Sequence, residues 1–128
     1  MAPLPIGGSR QRITEGACAS MLEWLLGPRV DIIEGQELAR RLKAADAPYV
    51  LDVRQPGEFS QGHIPEAHLI PLGQVSRRLN EIPKDRPIVT VCRSGQRSGV
   101  AAQQLKRAGY DVKNLAGGMS MWRGATKR

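Results

Sequence analysis

The residue best suited to chemistry is Cys92, which follows the apolar run Pro87-Ile88-Val89-Thr90-Val91 and precedes Arg93-Ser94-Gly95-Gln96-Arg97-Ser98. Three influences act to ionise a thiol in that position. Successive loop amides can form an anion-binding nest, a helix opening near Ser98 aims its positive end at the sulfur, and two guanidiniums lie close by. The thiolate is the reactive form. Gly95 supplies the positive φ or close backbone approach that a tight cradle needs. The same donors suit an oxyanion or a persulfide sulfur. Free cysteine is also a common small core residue, but an inert buried cysteine does not need a basic polar loop after it.

Asp52 and Arg54 stand at the end of a second apolar run, Tyr49-Val50-Leu51. A carboxylate and a guanidinium so close can form a network that fixes the loops. Direct catalysis is the alternative, yet neither type suits base work on a thiol already ionised. His63, within Gly62-His63-Ile64-Pro65, reads as a hydrogen-bonded structural histidine more than as a general base. Cys18, between Ala17 and Ala19, reads as inert, with a resolving thiol as the alternative. Two cysteines far apart in different contexts build neither a disulfide framework nor a Cys-x-x-Cys metal site, so no metal is expected.

Alternating elements must position these groups. The pattern predicts strands near Val30 to Ile33, Tyr49 to Val53, His68 to Ile70, Pro87 to Val91 and Asp111 to Leu115. Helices are predicted near Gly35 to Ala44, Leu72 to Leu79 and Ser98 to Ala108, the last closing on Lys106, Arg107 and Gly109, with one helical turn at Pro56 to Gln61. Such alternation points to an α/β domain with a mainly parallel sheet. In these sheets ligands bind outside the carboxyl ends of the strands, where both Asp52-Val53-Arg54 and the Cys92 loop fall.

Ahead of this pattern, residues 1–12 combine Pro3, Pro5, Gly7 and Gly8 and are expected to be flexible. Ile13, Ala17, Met21, Trp24 and Leu25 then follow spacings of three and four, predicting a short amphipathic helix ended by Gly27-Pro28. Packing of its apolar face on the domain is favoured over membrane contact or dimerisation, because the stripe is short and lacks a basic polar side. The organisation expected is therefore a flexible stretch 1–12, a helical extension 13–29 and one domain over 30–128.

At 128 residues and 41% hydrophobic, the chain can bury a single core. Nineteen Lys plus Arg against twelve Asp plus Glu give a net charge of +7, which favours anionic substrates or acidic partners. The basic residues come as scattered pairs with acidic residues between them, so a solvated surface is favoured over a nucleic-acid footprint. The strongest apolar stretch, Met21 to Leu26, contains Glu23 and is too short to span a bilayer. Reduced thiols in a cytoplasmic setting are expected; oligomeric state is left open.

Three ordered motifs carry a family resemblance. Leu51-Asp52-Val53-Arg54-Gln55-Pro56-Gly57-Glu58-Phe59, with Gly62-His63-Ile64-Pro65-Glu66-Ala67 and Ile70-Pro71-Leu72, resembles the first signature of rhodanese-like domains. Val91-Cys92-Arg93-Ser94-Gly95-Gln96-Arg97-Ser98 resembles their active-site loop, and Leu115-Ala116-Gly117-Gly118-Met119 with Trp122 resembles their closing motif. The resemblance covers about residues 30–124 and leaves the first 29 uninformed.

It implies a five-stranded, mainly parallel sheet with helices on both faces. It also implies a sulfurtransferase: Cys92 takes sulfur from a donor such as thiosulfate, or from a persulfide, and holds it as a persulfide for a thiophilic acceptor. Cyanide serves as the family's test acceptor, and thiols or thioredoxin-like proteins are the physiological ones implied. Arg93 and Arg97 are then expected to bind the donor's sulfonate, with the backbone from Ser94 through Gly95, Gln96 and Arg97 to Ser98 stabilising the sulfur. No organic cofactor is implied. Gly117-Gly118 is expected to turn beside the loop and Trp122 to pack.

Two rivals follow from the same residues. A phosphatase or arsenate reductase also uses a cysteine loop ending in arginine, but its Cys-x5-Arg is one residue longer than the span from Cys92 to Arg97. The shorter cradle suits a sulfur atom better than a tetrahedral phosphate. A non-catalytic binding module on the same fold is the second rival, disfavoured because a scaffold has no chemical need for an ionisable thiol in an anion nest.

Overall fold

The computed structural model describes residues 27–128. The flexible stretch expected over 1–12, most of the amphipathic helix and Cys18 lie outside those residues. Ile88-Val89-Thr90-Val91, three of them β-branched Val or Ile and the fourth Thr, form a strand buried at every position, the expected pattern for a sheet covered on both faces. It is β4 (Ile88–Val91), and around it lie β1 (Asp31–Ile33), β2 (Tyr49–Asp52), β3 (His68–Leu69) and β5 (Val112–Leu115). All pairings are parallel, in the order β1-β5-β4-β2-β3.

Alternation along the strands sorts two cores. Leu51 and Ile88 pack with Ala101, Ala102 and Leu105 of α3 (Gln96–Arg107) on one face. Val50, Val89 and Val91 pack with Leu38 of α1 (Gly35–Arg41) on the other, where Met119 of α4 (Gly118–Met121) and Trp122 also lie. Trp122 thus packs, and its indole N–H donates to the Ala125 carbonyl at 3.0 Å. Helices therefore flank both faces, as the resemblance implies. The short α2 (Pro56–Ser60) begins with proline at its first turn, where the missing N–H costs nothing.

One expected helix is absent. Leu72 to Leu79 forms two 3-10 turns, Leu72–Gln74 and Leu79–Glu81. Gly73 lowers helix propensity there, and the surrounding fold claims the backbone. The Leu72 N–H donates to the Val53 carbonyl at 3.0 Å, and the Tyr110 hydroxyl lies 2.9 and 3.1 Å from the carbonyls of Leu79 and Ile82. The helix expected from Ser98 opens two residues earlier, at Gln96, with Gly95 as its left-handed N-cap at φ 104°. Its far end keeps Lys106 and Arg107 in the last turn, and Gly109 at φ 94° reverses the chain. Among the described residues no helix is long and apolar enough to cross a membrane.

Candidate active site

Cys92 leaves the carboxyl end of β4 and is 1% exposed. Its Sγ accepts hydrogen bonds from the Gly95 amide at 3.0 Å and the Ser98 hydroxyl at 3.3 Å. Burial is the largest single influence and pushes the thiol up. The Ser98 hydroxyl and the amides of Ser98, Gly95 and Ser94 together outweigh it, leaving the thiol below its ordinary range. Those amides open a twelve-residue helix, whose unsatisfied N–H groups and dipole favour an anion.

Asn114, the residue paired with Thr90 in the β4–β5 register, ties the cradle to the sheet. Its side-chain amide donates to the Gly95 carbonyl at 2.9 Å, and its Oδ1 lies 2.6 Å from the Ser98 hydroxyl. Local spacing does not reveal this residue's part, since its partners lie 16 and 19 positions away.

The loop's carbonyls point the other way and are held by α4. Met119 N–H donates to the Cys92 carbonyl at 2.8 Å, and Ser120 donates to the Arg93 carbonyl from its amide at 2.9 Å and its hydroxyl at 2.8 Å. Gly118, at φ 58°, permits the approach: a Cβ there would stand 2.4 Å from the Cys92 carbonyl oxygen. The amides are thereby fixed facing the sulfur before any ligand arrives.

Asp52 is fully buried and Arg54 is 6% exposed. The guanidinium engages both carboxylate oxygens, at 2.9 Å through Nε and 2.8 Å through Nη2, while the Arg54 amide donates to Oδ1 at 3.0 Å. Nη2 also donates to the Gly62 carbonyl at 2.9 Å, joining the β2 exit to the loop after α2. Neither residue hydrogen-bonds to Cys92 among the described residues. His63 lies in the same loop, its Nδ1 2.8 Å from the Phe59 carbonyl, so Nδ1 carries the proton. Its ring stacks on Phe59 and its backbone pairs with Lys127.

The two loop arginines differ. Arg97 is held by Glu58 of α2 in a two-point ion pair, at 2.8 and 2.9 Å. The Arg97 hydrogen bond, with the Gln55 amide, brings the Glu58 carboxyl down to about 2. Arg93 is exposed, and among the described residues its guanidinium makes no hydrogen bond. A cleft of about 360 Å³ beside the loop is lined by Arg54, Glu58, Gly62, Arg93, Met119 and Ser120. The expectation that both arginines receive an anion thus meets a competitor in Glu58, whose only sequence signal was its place three residues after Gln55 at a helix start.

The chain matches the rhodanese-like domain model over residues 34–125. A protein of Allochromatium vinosum named sulfurtransferase is 42% identical over 94 residues, covering 73% of this chain and 88% of that one. The putative sulfurtransferase YtwF of Bacillus subtilis is 36% identical, covering 70% and 87%. Among solved structures, a rhodanese-like domain protein from Staphylococcus aureus superposes with a TM-score of 0.72 at 31% identity, covering 77% of this chain and 97% of that one. Fold and relatives together support a sulfurtransferase-type activity, and the chain belongs to the rhodanese-like domain family.

Proposed function

We propose that the protein moves a sulfane sulfur through a persulfide on Cys92. The thiolate attacks the outer sulfur of thiosulfate, the sulfur–sulfur bond breaks, and sulfite leaves with the bonding pair. With a persulfide donor the leaving group is the donor's thiolate. A thiophilic acceptor then removes the outer sulfur: cyanide in an assay, a thiol or thioredoxin-like protein in a reducing, cytoplasmic setting. The observation that carries this reading is the sulfur of Cys92 held by the Gly95 amide and the Ser98 hydroxyl at the opening of α3. Such donors stabilise a thiolate and, one atom further out, a bound anionic sulfur. Asp52 and Arg54 serve as loop supports in this scheme. Neither step calls for a metal or an organic cofactor.

Intact-mass measurement after thiosulfate or persulfide treatment tests the proposal. A single added sulfur on wild type, discharged by cyanide as thiocyanate and absent from Cys92→Ser, is the expected result. Wild-type protein that gains sulfur from neither donor would overturn it and direct attention to phosphate monoesters.

A further inference from the structure

We infer that Glu58 is a specificity-determining residue, selecting persulfide donors over dianionic, sulfonate-bearing donors such as thiosulfate; the inference rests on the sulfur-transfer reading above. Three observations converge on it. The Glu58 carboxylate takes both terminal nitrogens of Arg97, a residue in the first turn of the helix that cradles the sulfur. The opening of that helix, α3, faces the Cys92 sulfur, so the capture of Arg97 removes a free cation from beside the cradle. The same carboxylate lines the cleft beside the loop and, with its carboxyl brought down to about 2, stays charged at any physiological pH.

A sulfonate entering that cleft must displace Glu58 from Arg97 or lie beside it with Arg93 as its counter-ion. Either costs a dianion more than a singly charged or neutral donor. A persulfide needs no sulfonate pocket. Cys92 thiolate attacks its terminal sulfur, a new sulfur–sulfur bond forms, the old one breaks, and the electron pair leaves on the donor's thiolate, so charge and oxidation level balance.

Glu58 also accepts the Gln55 amide at 3.0 Å, which closes the first turn of α2. Glutamine can make that bond while lacking the charge, so Glu58→Gln separates electrostatics from helix capping. Glu58→Ala serves as a second variant that releases Arg97 altogether.

The experiment measures kcat/KM for dianionic thiosulfate and for singly charged cysteine persulfide on wild type and both variants, with the loaded mass of Cys92 recorded for each donor. The ratio of thiosulfate to persulfide efficiency is expected to rise about two- to fivefold in both variants, the scale of a partly exposed ion pair. A ratio within twofold of wild type, or a fall, overturns the assignment. Wild type loaded by neither donor instead brings down the sulfur-transfer reading itself, which the loaded mass reveals directly.

Discussion

Ser98 Oγ lies 3.3 Å from Cys92 Sγ and 2.6 Å from Asn114 Oδ1, yet a hydroxyl has one proton to donate. It can serve the sulfur or the amide oxygen, so Asn114 competes with the thiolate for the same donor. With the sulfur ionised, the charge draws the proton, since hydrogen bonds to charged acceptors are the stronger ones.

Ser98→Ala removes the largest influence that lowers the Cys92 thiol. The thiol should titrate at higher pH, and alkylation by iodoacetamide near neutrality should slow about fivefold, the value of one net hydrogen bond. A rate profile against pH checks the midpoint. An unchanged midpoint would assign the depression to the amides alone.

Gly118→Ala should be the most damaging single methyl in the site. Its Cβ would meet the Cys92 carbonyl oxygen at 2.4 Å and Arg93 backbone atoms at 2.7 Å, at a φ that L residues avoid. Backbone on both sides leaves no flexible side chain to yield, so about 2–4 kcal/mol of stability should be lost. Urea unfolding reads the loss, and sulfur loading of the surviving folded fraction should fall with it.

Asp52→Asn leaves the Arg54 guanidinium buried without its counter-ion. Removing one partner of a buried pair costs about 3–5 kcal/mol, and the loops after β2 and α2 lose their common tie. Denaturant midpoints of the variant and of wild type decide this. A small change would mean that the Gly62 carbonyl and water satisfy Arg54.

Acid titration separates Glu58 from the other carboxylates. Its folded value of about 2 lies below the ordinary 4.5. The sign follows: the pair's stabilisation is full above the unfolded value and is lost as pH falls from there through the folded one. Wild type should lose about 0.5–1 kcal/mol more than Glu58→Gln over that interval, after allowance for solvent screening of a pair about one-third exposed. Guanidinium unfolding at a series of acid pH values measures the difference.

The chemistry of Cys92 was legible because two local signals meet there: a β-branched run that only a buried strand explains, and a polar loop that no strand would continue. The central strands were legible for the same reason. Leu72 to Leu79 was not, because most of its residues suit a helix in isolation while Val53 and Tyr110, distant in the chain, anchor its two ends. Nor was the Glu58–Arg97 pair, whose members lie 39 residues apart and meet only because β2 and β4 are parallel neighbours. Strand order decides such contacts, and one sequence does not state it.

The near-complete enclosure of Cys92, 1% exposed, makes the size of a reagent matter to its access. A slender reagent reaches the thiol more readily than a bulky one, so the width of an attacker counts as much as its reactivity.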